Sequence, residues 1–151
     1  SRGLGDVYKR QINDRLDICL AVDAAGVHLG QTDLPCSEAR RILGAEKIIG
    51  VSAATPEEAA KAQSDGADYL GVGAVFATST KTNTRPVTAE TIRAIRSAVD
   101  IPFVVIGGVN SENISGLHGL GINGAAVISA IISQPDITAA ARKMRQAAER
   151  L

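Results

Sequence analysis

Tryptophan is absent from this 151-residue chain, and only two tyrosines and two phenylalanines are present. Neither sign of charge prevails, since 16 basic residues face 16 acidic ones. Without a basic face or a supply of stacking rings, nucleic-acid binding is excluded as the main role. No apolar run approaches the ~20 residues of a membrane span, and the first residues contain no apolar core of a signal peptide. The two cysteines, Cys19 and Cys36, lack CxxC spacing and read as reduced packing residues, neither a disulfide nor a zinc site. A cytoplasmic protein is the expected setting. The chain also lacks a GxGxxG fingerprint, a Ser/His/Asp constellation and any metal-spaced Cys/His cluster. Of its two histidines, His28 lies inside an apolar run and reads as a satisfied buried residue, while His118 reads as a surface residue.

What is present is an α/β alternation with a 45% hydrophobic composition, sufficient for one domain with a core. Its centre is the run YLGVGAVF (Tyr69–Phe76), which reads as a buried strand. The segment Ala77-Thr78-Ser79-Thr80-Lys81 follows at once, with no acidic residue before Glu90. Three hydroxyls and one ammonium past the carboxyl end of a strand suit an anion such as phosphate, where α/β folds usually place their sites. The alternative is a polar turn with an exposed lysine.

The same strand-then-polar-tip arrangement recurs along the chain. Short helices are expected over 18–25, from Ser37 through Leu43, from Thr55-Pro56 to about Asp65, from Thr88 to near Val99, from Ser111 to Gly121, and from about Asp136 onward. Strands are expected over 26–29, 48–51, 69–76, 101–106 and 125–128, plus the remnant of another ending at Ile12. Strict alternation implies parallel strands with right-handed crossovers. The phrases AAGVH (from Ala24), DGADY (from Asp65) and GINGAA (from Gly121) resemble one another, each a helix end, a turn and a strand entry. A doubly wound sheet and a (β/α)8 TIM barrel both fit. Polar tips after every strand favour the barrel, of which this chain holds about six βα units. Residues 1–11 carry four charges without periodicity and read as a non-family segment, an assembly scar, apart from a partial barrel domain over 12–151.

Two tips carry carboxylates, Asn13-Asp14 and Gln31-Thr32-Asp33. Each aspartate alone reads as a helix cap. As a pair opposite a phosphate loop, Asp14 and Asp33 suit Mg2+, which prefers oxygen ligands and keeps several waters. Gly107-Gly108 and Ile128-Ser129 follow the last two strands and form a second candidate anion site, as in barrels that hold phosphate after strands seven and eight. On that reading the strands of this chain are three to eight.

Taken together, INDR (from Ile12), HLGQTD (His28–Asp33), GVS (Gly50–Ser52), GAVFATSTK (Gly73–Lys81), IGGV (Ile106–Val109) and VISA (Val127–Ala130) occur in an order that resembles the thiamine phosphate synthase family, over essentially all of residues 12–151. The resemblance implies a (β/α)8 transferase that joins hydroxymethylpyrimidine diphosphate to thiazole phosphate, giving thiamine phosphate and diphosphate. It implies that Asn13, Ser52 and Lys81 contact the pyrimidine diphosphate, with Ser52 and Lys81 the catalytic pair. Asp14 and Asp33 would hold Mg2+, and Thr78, Ser79, Thr80, Gly108, Ile128 and Ser129 would serve the thiazole phosphate. The partners expected are small molecules, with no nucleic acid or membrane and a possible homo-oligomer. Ala77 stands where the family usually has proline. The first two βα units of the family, with a strand end that grips the diphosphate, are not represented in the sequence.

Two other readings remain open at this level. A thiazole tautomerase is similar in fold, but that family typically has a histidine shortly after the serine of GVS, where this chain has Ala53-Ala54-Thr55. The other is an inactive phosphate-binding fragment whose open sheet edges favour self-association.

Overall fold

The repeated helix-end, turn and strand-entry phrases build one repeated device. Ala25, Asp68 and Asn123 each donate a backbone N–H to a carbonyl at the start of the preceding strand, on Arg10, Ile49 and Phe103 at 2.8–2.9 Å. Two of them also accept through their side chains. Asp68 Oδ2 takes the N–H of Ile49 at 2.7 Å, and Asn123 Oδ1 that of Phe103 at 3.1 Å. Each new strand is thus laid against the last in fixed register. The computed structural model describes residues 10–77, 86–149 and 151.

Six strands result, β1 Gln11–Asn13, β2 Gly26–Leu29, β3 Ile48–Ala53, β4 Tyr69–Gly73, β5 Phe103–Ile106 and β6 Ala125–Ala126. All adjacent pairs are parallel, and the order across the sheet is the order in the chain. A doubly wound sheet reverses its order at a switch point. This sheet has none, and right-handed crossovers therefore put every helix on one face. The helices are α1 Leu16–Ala21, α2 Cys36–Leu43, α3 Pro56–Ser64, α4 Ala89–Ala98, α5 Ser129–Ile132 and α6 Ile137–Ala148.

Partners in register share a face of the sheet. The outer face carries Val27, Leu29, Ile49, Leu70, Val72, Phe103 and Val105, none more than 1% exposed. Complete burial of such side chains contributes about 1.5–3 kcal/mol each, which makes this layer the core. The inner face carries Gln11, Asn13, His28, Ser52, Tyr69 and the glycines Gly50 and Gly71. Gln11, the last residue of the N-terminal segment set apart above, is the first residue of β1.

Local chemistry explains where elements differ from the sequence expectation. Helix α2 starts at Cys36 with Pro35 in the capping position, so Ser37 lies inside the helix and caps nothing. Helix α1 spans Leu16–Ala21 instead of 18–25, because Ala24 and Ala25 already turn into β2. The expected helix from Ser111 to Gly121 is a single 3-10 turn, Ile114–Leu117. Along this stretch the buried residues Ile114, Leu117 and Leu120 recur every third position, the period of a 3-10 turn, and Gly116, Gly119 and Gly121 disfavour an α-helix. Strand β4 stops at Gly73, although Val75 and Phe76 still donate to Ile106 and Gly107 carbonyls at 3.1 and 3.0 Å. Strand β5 begins at Phe103 and β6 ends at Ala126, both shorter than expected. No helix among the described residues is long and apolar enough to cross a membrane.

Candidate active site

Since all strands are parallel, their carboxyl ends lie along one edge of the sheet, and the polar tips follow there in sequence. Asp14 leaves β1 with a φ of 63°, in the left-handed region that aspartate tolerates better than most residues. Its N–H donates to the His28 carbonyl at 2.8 Å, so the first tip is anchored to β2. Both Asn13 and Asp14 are exposed. After β2, Asp33 accepts the Gly30 N–H on Oδ2 at 2.6 Å. Gln31 of the same turn donates through Nε2 to the Ser52 carbonyl at 2.6 Å, tying the tip of β2 to the end of β3.

The inner face beneath these tips holds a line of neutral hydrogen bonds. Tyr69 Oη donates to Gln11 Oε1 at 2.8 Å and pairs with His28 Nδ1 at 2.9 Å, and His28 Nε2 pairs with Ser52 Oγ at 3.0 Å. Burial pushes the Tyr69 phenol above its ordinary pKa, and the Gln11 contact only partly offsets that. Glycines make room for the two rings. A Cβ at Gly50 would lie 2.2 Å from Tyr69 Cζ, and one at Gly71 would lie 3.0 Å from His28 Cε1. The His28 and Tyr69 rings stand 5.6 Å apart, tilted by 43°. Burial likewise raises both cysteine thiols, Cys19 and Cys36, which are free and packed in the core.

Thr78, Ser79, Thr80 and Lys81 lie outside the described residues. The segment leading to them is anchored on the tip of β5. Gly107 and Gly108 have φ of 96° and 66°, and a Cβ at Gly108 would meet the Ala77 carbonyl oxygen at 2.4 Å. These glycines therefore let the β5 loop pass directly under residues 76–77. Asn113 Nδ2 holds the Gly108 carbonyl at 2.9 Å, and Asn110 Oδ1 accepts the N–H groups of Glu112 and Asn113. Ile128 is 46% exposed, and Ser129 opens α5 instead of ending a strand.

Sequence reasoning passed over Gln11, Gln31 and Tyr69. Gln31 sat inside a quoted motif, but a polar residue in a turn carries no mark of what it reaches. Tyr69 stands in an apolar run, and its partner Gln11 is 58 positions away. His28 is half-buried and hydrogen-bonded, as its place inside a strand suggested. His118 is exposed, at the end of the 3-10 turn.

For a metal, the described residues offer no group of three or more His, Cys, Asp or Glu side chains. Two carboxylates, Asp14 and Asp33, are an oxygen-only donor set. That set fits Mg2+, which takes its remaining ligands from water and substrate phosphate.

The family model described as thiamine monophosphate synthase matches residues 9–131. A thiamine-phosphate synthase of Moorella thermoacetica is 54% identical over 140 residues, covering 92% of this chain and 67% of the relative. One from Ruminiclostridium cellulolyticum is 56% identical over 133 residues, covering 88% of this chain and 63% of the relative. The solved thiamine phosphate pyrophosphorylase from Pyrococcus furiosus superposes with a TM-score of 0.84 at 42% identity, over 92% of this chain and 66% of that one. The chain thus spans about two thirds of the length of these relatives, and its six strands form a curled parallel half-barrel that matches the corresponding part of the Pyrococcus structure. A 3-hexulose-6-phosphate synthase, 21% identical with a TM-score of 0.63, shares the fold alone. Matching in sequence along most of its length and in the course of its backbone, the chain belongs to the thiamine monophosphate synthase family.

Proposed function

We propose that this protein is a thiamine phosphate synthase, joining hydroxymethylpyrimidine diphosphate and thiazole phosphate to give thiamine phosphate and diphosphate. The observation that carries the reading is the single polar edge of the half-barrel. There Asn13 and Asp14 end β1, Asp33 follows β2, Ser52 lies near the end of β3, Gly108 follows β5 and Ser129 follows β6, in a chain more than 50% identical to thiamine-phosphate synthases. Strands β1–β6 correspond on this reading to the third to eighth of a (β/α)8 barrel, in one domain that takes in Gln11 of β1.

Asp14 and Asp33 would hold Mg2+, which would supply the charge neutralisation that makes diphosphate a competent leaving group. Lys81 adds an ammonium to the same anion, and Asn13 and Ser52 bind and orient the pyrimidine half. Thr78, Ser79, Thr80, Gly108, Ile128 and Ser129 hold the thiazole phosphate, with backbone N–H groups after the last strands meeting the anion. As the diphosphate departs, the electron-rich aminopyrimidine carries the positive charge at its methylene, and the thiazole nitrogen attacks that carbon. Neither a strong base nor a covalent nucleophile is required. Two anchored phosphates hold the reactants in line, and such orientation can be worth about 7–11 kcal/mol. The protein works on small molecules in the cytoplasm.

The test is product formation from both substrates with Mg2+, in this chain and in a form extended by two family-like N-terminal βα units. Activity in the extended form, lowered on the order of 10²–10³-fold by Lys81→Ala and made dependent on higher Mg2+ by Asp33→Ala, supports the reading. A folded extended protein with no activity refutes it.

A further inference from the structure

The inner face carries a line of hydrogen bonds across four strands, from Gln11 of β1 through Tyr69 of β4 and His28 of β2 to Ser52 of β3. Counting hydrogens gives it a direction. The Tyr69 phenol keeps its single proton and donates it to Gln11 Oε1. Toward His28 the phenol oxygen can then only accept, so Nδ1 is the ring nitrogen that bears hydrogen. With the imidazole neutral, its one N–H is then at Nδ1, and Nε2 meets Ser52 Oγ at 3.0 Å with a lone pair. The serine proton therefore points inward, to His28. The Ser52 carbonyl is occupied as well, by Gln31 Nε2. What the Ser52 hydroxyl turns toward the mouth is a lone pair and no hydrogen.

We propose that Gln11, Tyr69 and His28 are positioning residues that hold Ser52 Oγ as a hydrogen-bond acceptor, so that the group it receives is an N–H donor, the amine of the aminopyrimidine, and not a diphosphate oxygen. The proposal rests on the substrate reading above and deepens it. An unprotonated diphosphate oxygen has only lone pairs to offer, and lone pair against lone pair repels. An exocyclic amine fits the vacancy in hydrogen-bond sense and is found on one of the two substrates alone. The same line explains the sequence of the inner face. Gly50 leaves room for the Tyr69 ring and Gly71 for the His28 ring, so the relay lies flat on the sheet below the tips.

The chain has two histidines, so a His118→Gln variant leaves His28 as the one imidazole. Long-range nitrogen–proton correlation spectra of the nitrogen-15-labelled variant, without substrate and about two units above the ordinary histidine pKa of ~6.5, report which ring nitrogen bears hydrogen. The expected result is hydrogen on Nδ1, the tautomer less populated in a free histidine side chain, shifting to Nε2 in Tyr69→Phe. Hydrogen on Nε2 in the parent, or a tautomer ratio that Tyr69→Phe leaves unchanged, overturns the proposal. A second arm uses the active enzyme. His28→Gln keeps an acceptor near the position of Nε2, and His28→Asn does not. The Asn variant should lose on the order of ten- to a hundredfold more kcat/KM than the Gln variant, the usual range for losing a partner that orients an active-site ligand. Equal losses in two folded variants count against it. Failure of the substrate reading would appear separately, as absence of product from the parent enzyme, because the tautomer is read without substrate.

Discussion

The two ends of the strands solve opposite problems with similar residues. At the amino ends, charges are spent on the protein itself. Arg40 alone donates to the carbonyls of Gly44, Lys47 and Gly66 and to the carboxylate of Asp68, at 2.6–3.0 Å. Lys47 bridges Asp23 and the Ala24 carbonyl, and Arg96 reaches the carbonyls of Val99 and Ile101 while lying 5.2 Å from the centre of the Phe103 ring. At the carboxyl ends the bonds are mostly neutral, made by Gln31, Ser52, His28 and Asn113, and Asp33 rests on a backbone N–H instead of a cation. Barrels of this kind keep stability at one end and chemistry at the other. The difference shows how one sheet divides that work: ion pairs close the lower end, and among the described residues the upper end relies mostly on neutral bonds, with the Arg15–Asp17 pair and the Glu58 carboxylate on the Ala54 N–H as its charged contacts.

Substitutions at each end sharpen the contrast. The largest expected effect is that of Ser52→Ala on catalysis. In the active synthase kcat/KM should fall on the order of 10²–10³-fold, a loss typical of removing one aimed polar group. Its folding stability should change by about 1 kcal/mol or less, since one neutral hydrogen bond is lost. Paired activity assays and thermal melts check both halves, and a large fall in melting temperature would break the division. Arg40→Ala should do the reverse. Several charge-assisted bonds disappear together, but the freed carbonyls regain water in part, so a loss of about 3 kcal/mol is expected with KM unchanged. A denaturant melt that leaves stability intact would show that the lower clamp contributes nothing.

The smallest effect concerns an exposed pair beside β1. The Arg15 guanidinium hydrogen-bonds the Asp17 carboxylate and lowers its pKa from 3.8 to about 2. A folded-state pKa below the unfolded value means that stability is present above about pH 4 and is lost as pH falls toward 2. The pair is open to solvent, so the loss is small. Carboxyl chemical shifts recorded against pH should place the Asp17 midpoint near its ordinary value in Arg15→Ala.

Legibility in the sequence followed the range of the forces involved. Helix starts at Thr55, Thr88 and Asp136 were readable because a cap is settled within four residues. Thr55 accepts from Glu58 N–H, Thr88 from Thr91 and Asp136 from Ala139. The strands were readable because the outer face is uniformly apolar. The stretch around Ile114 was misread, since apolar residues three apart suit a 3-10 turn as well as an α-helix. In the site, the tips at Asp14, Asp33 and Gly107-Gly108 were legible because each directly follows a strand. The line from Gln11 to Ser52 was not, because its members are brought together by register and by space left at glycines in other strands. Nothing local to Gln11 marks its place opposite Tyr69.

The space above Gly50 has a consequence for how this chain can change over time. A methyl group there would occupy the position of the Tyr69 ring, so Gly50→Ala and a smaller residue at position 69 suit each other while either change alone does not. Such neighbouring sites couple strongly and do not add. The two positions therefore act as one unit: a change at either alone leaves the inner face crowded or hollow, and only a paired change restores the fit.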